Sequence, residues 1–153
     1  MGALHAGHGT VIRSASLMGP VLVSVFVNPL QFGADEDLDR YPRSLESDLV
    51  LAERWGAAAL WAPSIEQIYP HGLESHSPRL QVPLALQEHL CGAKRPGHFD
   101  GVVAVVARLL ELVRPRQLWL GEKDWQQLVI LRWLVAHLAL PVTVQGVATV
   151  REA

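Results

Sequence analysis

The chain has 153 residues, half of them apolar and 18% charged, with a formal net charge of −2 at pH 7. Those values fit one globular domain and exclude a disordered chain; they offer no general electrostatic pull toward nucleic acid or an anionic membrane. Cys91 is the only cysteine, so no internal disulfide can form, and no apolar run is long enough to span a bilayer. A soluble, cytoplasmic domain is the expectation.

The chain opens on Met1-Gly-Ala-Leu-His5-Ala-Gly-His8, just ahead of helical periodicity over residues 10–17. Two histidines three apart at a helix start bring imidazoles and backbone N–H groups together, a ready anion site. The functional reading is phosphate binding, with the imidazoles stabilising charge on a leaving pyrophosphate. The plain one is two surface histidines. No further ligand cluster accompanies them to make a zinc site.

Residues 21–27 (Val-Leu-Val-Ser-Val-Phe-Val) read as a buried strand, continuous rather than alternating, as parallel strands are. Asn28-Pro-Leu-Gln31-Phe32 follows directly. Residues just beyond the carboxyl end of a parallel strand line the ligand crevice in this fold class, and two carboxamides suit a hydroxy acid. Asn-Pro is equally ordinary turn chemistry. Residues 44–55 predict a helix with Ser44 as N-cap and Leu45, Leu49 and Ala52 on one face, closed by Gly56. Short strands are expected at 58–61 and, before Pro83, at 80–82.

Arg95-Pro-Gly-His-Phe99 is a basic turn that could hold an anion or simply link helices. An apolar helix over 101–113, a strand over 117–120, a helix over 125–138 and a strand over 142–147 complete an α/β alternation with a mostly parallel sheet. Gly121-Glu-Lys-Asp124 joins the third strand to the last helix. Lys123 there opposes the helix dipole, at a cost of about 0.3–1 kcal/mol that a bound polyphosphate would remove. Asp124 can cap the helix and Gln127 lies on the same face; a capped helix with a solvated lysine explains these residues as well. Trp119, Trp125 and Trp133 read as core or interface packing, and Cys91, with no activator, as structural. His71, His76, His89 and His137 carry no signal.

One element is expected and not found. In doubly wound folds the Gly-rich turn follows a central first strand, and no residue precedes Met1 in this sequence. Its ladder bonds and buried side chains would rival a domain's whole stability of about 5–15 kcal/mol. The chain is therefore expected to be a piece of a longer protein, with little activity alone.

Taken in order, Met1–His8, Val23-Ser-Val-Phe-Val-Asn-Pro-Leu-Gln-Phe32, Asp37-Leu-Asp-Arg-Tyr-Pro-Arg43, Ile68-Tyr-Pro70, Arg95–Phe99 and Leu120-Gly-Glu-Lys-Asp-Trp-Gln-Gln-Leu128 resemble the pantothenate synthetase (pantoate–β-alanine ligase) family over essentially the whole chain. The resemblance implies that residues 1–153 form a Rossmann-like nucleotidyltransferase domain of the HIGH-motif superfamily, homodimeric in the intact protein. It implies activation of pantoate by Mg2+-ATP to pantoyl adenylate, then attack by β-alanine to release pantothenate and AMP. Met1, Gly2, Ala3, Leu4, His5, Ala6, Gly7 and His8 would cradle ATP, with His8 as proton donor and His5 beside the phosphates. Gly121, Glu122, Lys123 and Asp124 would complete the nucleotide site, Lys123 on the phosphates, and Val150 would meet the adenine through its backbone. Gln31 and Gln127 would hold pantoate, with Asn28 beside them and Gln31 bordering β-alanine. No resident metal, nucleic acid or membrane partner is implied.

The family pattern also has a strand and Pro-Thr ahead of Met1, a Ser-Ser-Arg motif after Arg151-Glu152 and a smaller C-terminal domain. Cys91 and Trp125 stand where many members carry Glu and Tyr or Phe. Two other readings are a nucleotidylyltransferase of the same superfamily with another acceptor, and a degenerate domain kept for dimerisation. Gln31 and Gln127 argue against the former, since an amide pair suits a neutral hydroxyl-bearing acid better than a second phosphate.

Overall fold

In the computed structural model, which describes residues 2–31, 44–73 and 80–149, helices alternate with short parallel strands. Helix α1 (Ala6–Ser16) leads to β1 (Leu22–Ser24) and a 3-10 turn (Pro29–Gln31), and α2 (Leu45–Arg54) leads to β2 (Ala59–Trp61). Three short helices, α3 (Ile65–Ile68), α4 (Leu84–Gln87) and α5 (Leu90–Lys94), precede the long α6 (His98–Val113). Then come β3 (Gln117–Gly121), a 3-10 turn (Glu122–Asp124), α7 (Trp125–His137) and β4 (Thr143–Val147).

Both strand pairs are parallel, Val23 opposite Leu60 and Trp119 opposite Gln145, as the apolar runs and intervening helices require. The pairs nevertheless form two separate two-stranded sheets, β1–β2 and β3–β4. Helices α1 and α2 bury Ile12 and Ala52 against Val23 of β1. Helices α6 and α7 bury Val103, Ile130, Leu131 and Leu134 against each other. Each such side chain contributes about 1.5–3 kcal/mol when fully removed from water.

Between the two half-sheets runs an apolar groove of about 880 Å³. Its walls are Leu22 and Ser24 of β1 and Gln117 and Trp119 of β3; Val11 and Ile12 of α1 and Val102, Val105 and Val106 of α6 also line it. The Val21 carbonyl accepts from Ala58 at 2.8 Å and the Val25 amide donates to Trp61 at 2.9 Å, so these peptide groups face β2. Alternation then turns the Leu22 peptide group away from β2. The apolar run 21–27 forms a strand over Leu22–Ser24, and Leu22 remains 42% exposed.

Three local expectations are corrected. Residues 80–82 form no strand: Asp100 takes the Val82 N–H at 3.0 Å and Gln87 donates to the Val82 carbonyl at 2.6 Å, leaving neither group for a ladder. Ser44 and Asp124 occupy the N-cap positions of α2 and α7, yet neither side chain makes a cap hydrogen bond. On α2 the buried residues are Asp48 and Ala52, with Leu51 and Trp55 packed on the core, while Leu45 and Leu49 lie half exposed. Gly56, at φ +93°, closes that helix as expected. Cys91 is a free, exposed thiol. Among the described residues no helix is long and apolar enough to cross a membrane.

Candidate active site

The start of α1 is held by its own histidines. His5 is the N-cap, and its Nδ1 accepts the Gly7 N–H at 3.2 Å. The Nδ1 of His8 in turn accepts the His5 N–H at 3.2 Å, a reciprocal capping box built from imidazoles. The ring centroids are 4.1 Å apart. With its Nδ1 accepting, the neutral His8 ring carries its proton on Nε2. Burial, then the neighbouring His5, lowers the His8 pKa from 6.5 to about 4. His8 is therefore a neutral hydrogen-bond donor at pH 7; acting as an acid requires an anion close enough to raise that value.

The turn ahead of α1 is tied to α2. Asp48, 2% exposed, accepts the Leu4 N–H on Oδ1 at 2.7 Å and the Ala3 N–H on Oδ2 at 3.1 Å. Ala3 sits in the left-handed region at φ +49°. Sequence reasoning passed over Asp48, although it lies four residues before the buried Ala52, on the same helix face.

The second wall is the segment after β1. Asn28 is 1% exposed; its Nδ2 donates to the Gly101 carbonyl at 2.9 Å, and its Oδ1 accepts from the Tyr69 hydroxyl at 2.8 Å and the Leu30 N–H at 3.3 Å. Its carboxamide thus fastens the 3-10 turn to α6 and to Tyr69 just past α3. Burial pushes the Tyr69 hydroxyl up to about 12, so it stays a donor. Gly101 is needed for this approach, because a Cβ there would collide with the Leu30 carbonyl. His98 donates to the Gln31 carbonyl from Nδ1 at 2.9 Å, and Arg95 reaches the same oxygen at 3.5 Å. The basic turn therefore supports Gln31 from behind. Sequence reasoning missed this role for Tyr69 and His98, although both lie in motifs it singled out.

The third wall is the turn after β3. A Cβ added at Gly121 would lie 4.0 Å from Val11, which places the carboxyl end of β3 beside α1. Lys123 is exposed, and its charge is among those that keep His8 unprotonated. Glu122 packs against Gly146 of β4. Gln127, Gln31 and Asn28 all line the groove between the half-sheets.

The structure thus sets His5 and His8 together at the start of α1, brings the β3 end that precedes Lys123 beside that helix, and lines one groove with Gln31 and Gln127. Met1, Phe32, Asp37 to Arg43, His76, Val150 and Arg151-Glu152 lie outside the described residues. The other histidines are elsewhere: His137 stacks on Trp133 at 4.9 Å, His89 lies 3.7 Å from Glu88, and His71 lines a separate cavity with Arg108 and Pro141. Trp125 is 52% exposed, with the Arg132 guanidinium 6.0 Å from its ring. Among the described residues no group of three or more His, Cys, Asp or Glu could hold a metal ion.

The family model described as Pantoate-beta-alanine ligase matches residues 1–153. The chain is 86% identical over 153 residues to a bifunctional pantoate ligase/cytidylate kinase of Synechococcus sp. (strain CC9902), covering 100% of this chain and 32% of that protein. It is 68% identical over 157 residues to the like-named protein of Prochlorococcus marinus (strain MIT 9313), covering 99% of this chain and 31% of that one. It therefore spans about a third of the length of these curated relatives. Among solved structures, a pantothenate synthetase from Thermus thermophilus matches with a TM-score of 0.92 at 50% identity, over 99% of this chain and 54% of that one. A pantoate-beta-alanine ligase from Francisella tularensis, complexed with beta-gamma ATP and beta-alanine, matches with a TM-score of 0.92 at 37% identity, over 99% and 57%. With its whole length matched and its parallel α/β fold shared, this chain belongs to the pantoate–β-alanine ligase family.

Proposed function

We propose that the chain is the nucleotide- and pantoate-binding part of a ligase that condenses pantoate with β-alanine through pantoyl adenylate. The observation that carries this reading is the pair of imidazoles that caps the start of α1, next to a groove lined by Gln31 and Gln127. The pantoate carboxylate attacks the α-phosphorus of ATP, and the bond from that phosphorus to the pyrophosphate oxygen breaks. His5, His8 and Lys123 stabilise the charge gathering on the leaving pyrophosphate, and the helix dipole adds to them. That anion raises the His8 pKa and lets it supply a proton. Magnesium enters with ATP as part of the substrate. The amine of β-alanine then attacks the acyl carbon, forming the amide as the bond to AMP breaks, with the amine proton passing to solvent. Asn28 contributes by fixing the position of Gln31, since its own carboxamide is already engaged. In the intact protein, AMP release should require ATP, pantoate and β-alanine together; equal AMP release without pantoate overturns the reading.

We further infer that an extended strand, parallel to β1 and β3, fills the groove between the half-sheets in the intact protein, and that residues 1–153 alone turn over little. The apolar walls of the groove, with strand β1 on one side and β3 on the other, support this completion. The intact protein is expected to be a cytoplasmic homodimer.

A further inference from the structure

The turn that leads into α1 has a backbone that does not hold itself. Ala3 adopts φ +49°, a conformation that costs a non-glycine residue about 1–2 kcal/mol and persists only where neighbours enforce it. The enforcing group is on another element. Asp48, in α2, reaches across 45 and 44 positions of sequence to accept the N–H groups of Ala3 and Leu4, one on each carboxylate oxygen. Two adjacent donors call for two acceptors on one short side chain. A carboxylate supplies them; an asparagine of the same shape supplies one, and turns an N–H toward the other donor.

Burying a carboxylate without such partners is costly, so the side chain and the turn hold each other. The His5 N-cap lies one residue beyond Leu4, and the His5 N–H is the donor that orients His8. Any shift of the turn therefore moves both imidazoles. We infer that Asp48 is the positioning residue of the nucleotide-binding turn, a buried carboxylate that clamps Ala3 and Leu4 and so presets the start of α1 for a triphosphate. Its carboxylate is turned to the backbone of the turn, so it acts on the nucleotide through that turn. The inference rests on assigning that turn to ATP.

The segment that carries Gln31 is fastened separately, by Asn28, Gly101 and His98. The clamp therefore predicts a selective defect. In the full-length protein, Asp48→Asn should weaken Mg2+-ATP binding, measured by equilibrium dialysis, by about tenfold, the loss of one charged hydrogen bond. Asp48→Ala should weaken it further, and both should leave the KM for pantoate within twofold. Amide hydrogen exchange at Leu4 should accelerate in parallel. The inference is overturned if both variants bind ATP within twofold of the parent protein, or if the KM for pantoate rises as much as that for ATP, the sign of general loosening. Should Asp48→Ala not fold, the isosteric Asp48→Asn decides alone. If the parent protein itself binds no ATP, the functional reading fails; if it binds and the variants bind as well, only the clamp fails.

Discussion

His8 shows how one residue's surroundings redefine its chemistry. Its folded pKa of about 4 lies below the ordinary 6.5, chiefly because burial disfavours the charged ring. The folded state then binds fewer protons than the unfolded chain between those values. Stability from this group is present above pH 6.5 and is lost as the pH falls through about 4. Proton NMR should find His8 neutral at pH 7 and titrating near pH 4, and His8→Asn should flatten that part of the stability curve in urea unfolding. A His8 titration near 6.5 overturns this expectation. Gln127 is the matching case in the groove. Gln127→Ala removes one carboxamide from the pantoate wall and should weaken pantoate binding several-fold, about 0.5–1.5 kcal/mol for one neutral hydrogen bond. Unchanged affinity would favour a different acceptor.

At the scale of elements, the junction of α6 with the Pro29–Gln31 turn has the least room for change. A methyl group at Gly101 meets the Leu30 carbonyl, so Gly101→Ala should cost about 1–3 kcal/mol of stability and displace Gln31. Denaturant midpoints and pantoate affinity, measured on the same variant, should fall together. The helices at 101–113 and 125–138 and the strands at 117–120 and 142–147 could be read in advance because periodicity and apolar runs act over a few neighbours. The edge strand at 80–82 could not be excluded that way. Its backbone groups are taken by Asp100 and Gln87, which no local pattern announces. The helix at 44–55 was placed correctly but its buried face was not, because a buried Asp48 reads as polar until its partners in the distant turn are seen.

For the whole molecule, the groove between β1 and β3 is where a further strand would act on stability. A strand laid there would bury apolar surface against α1 and α6 and satisfy peptide groups on both edges, each hydrogen bond contributing about 1 kcal/mol net. A six-residue apolar, β-branched peptide added in trans should raise the melting temperature and slow amide exchange at Leu22 and Trp119. A Gly-Ser peptide of equal length should do neither. Equal melting temperatures for the two would remove the strand-completion reading.

Read alone, the sequence established the α/β alternation, the parallel sense of the strands, the histidine turn at the start of α1 and the family to which their order points. Each of these is written in residue type and short spacing, which depend on neighbours within a turn or two of chain. Only the folded molecule showed that Asn28 is buried and hydrogen-bonded through both its oxygen and its nitrogen, that Asp48 clamps Ala3 and Leu4, that His98 backs Gln31, and that the strands stand as two half-sheets. Those facts turn on which distant groups meet to satisfy one another's hydrogen bonds, and sequence periodicity holds no record of such meetings.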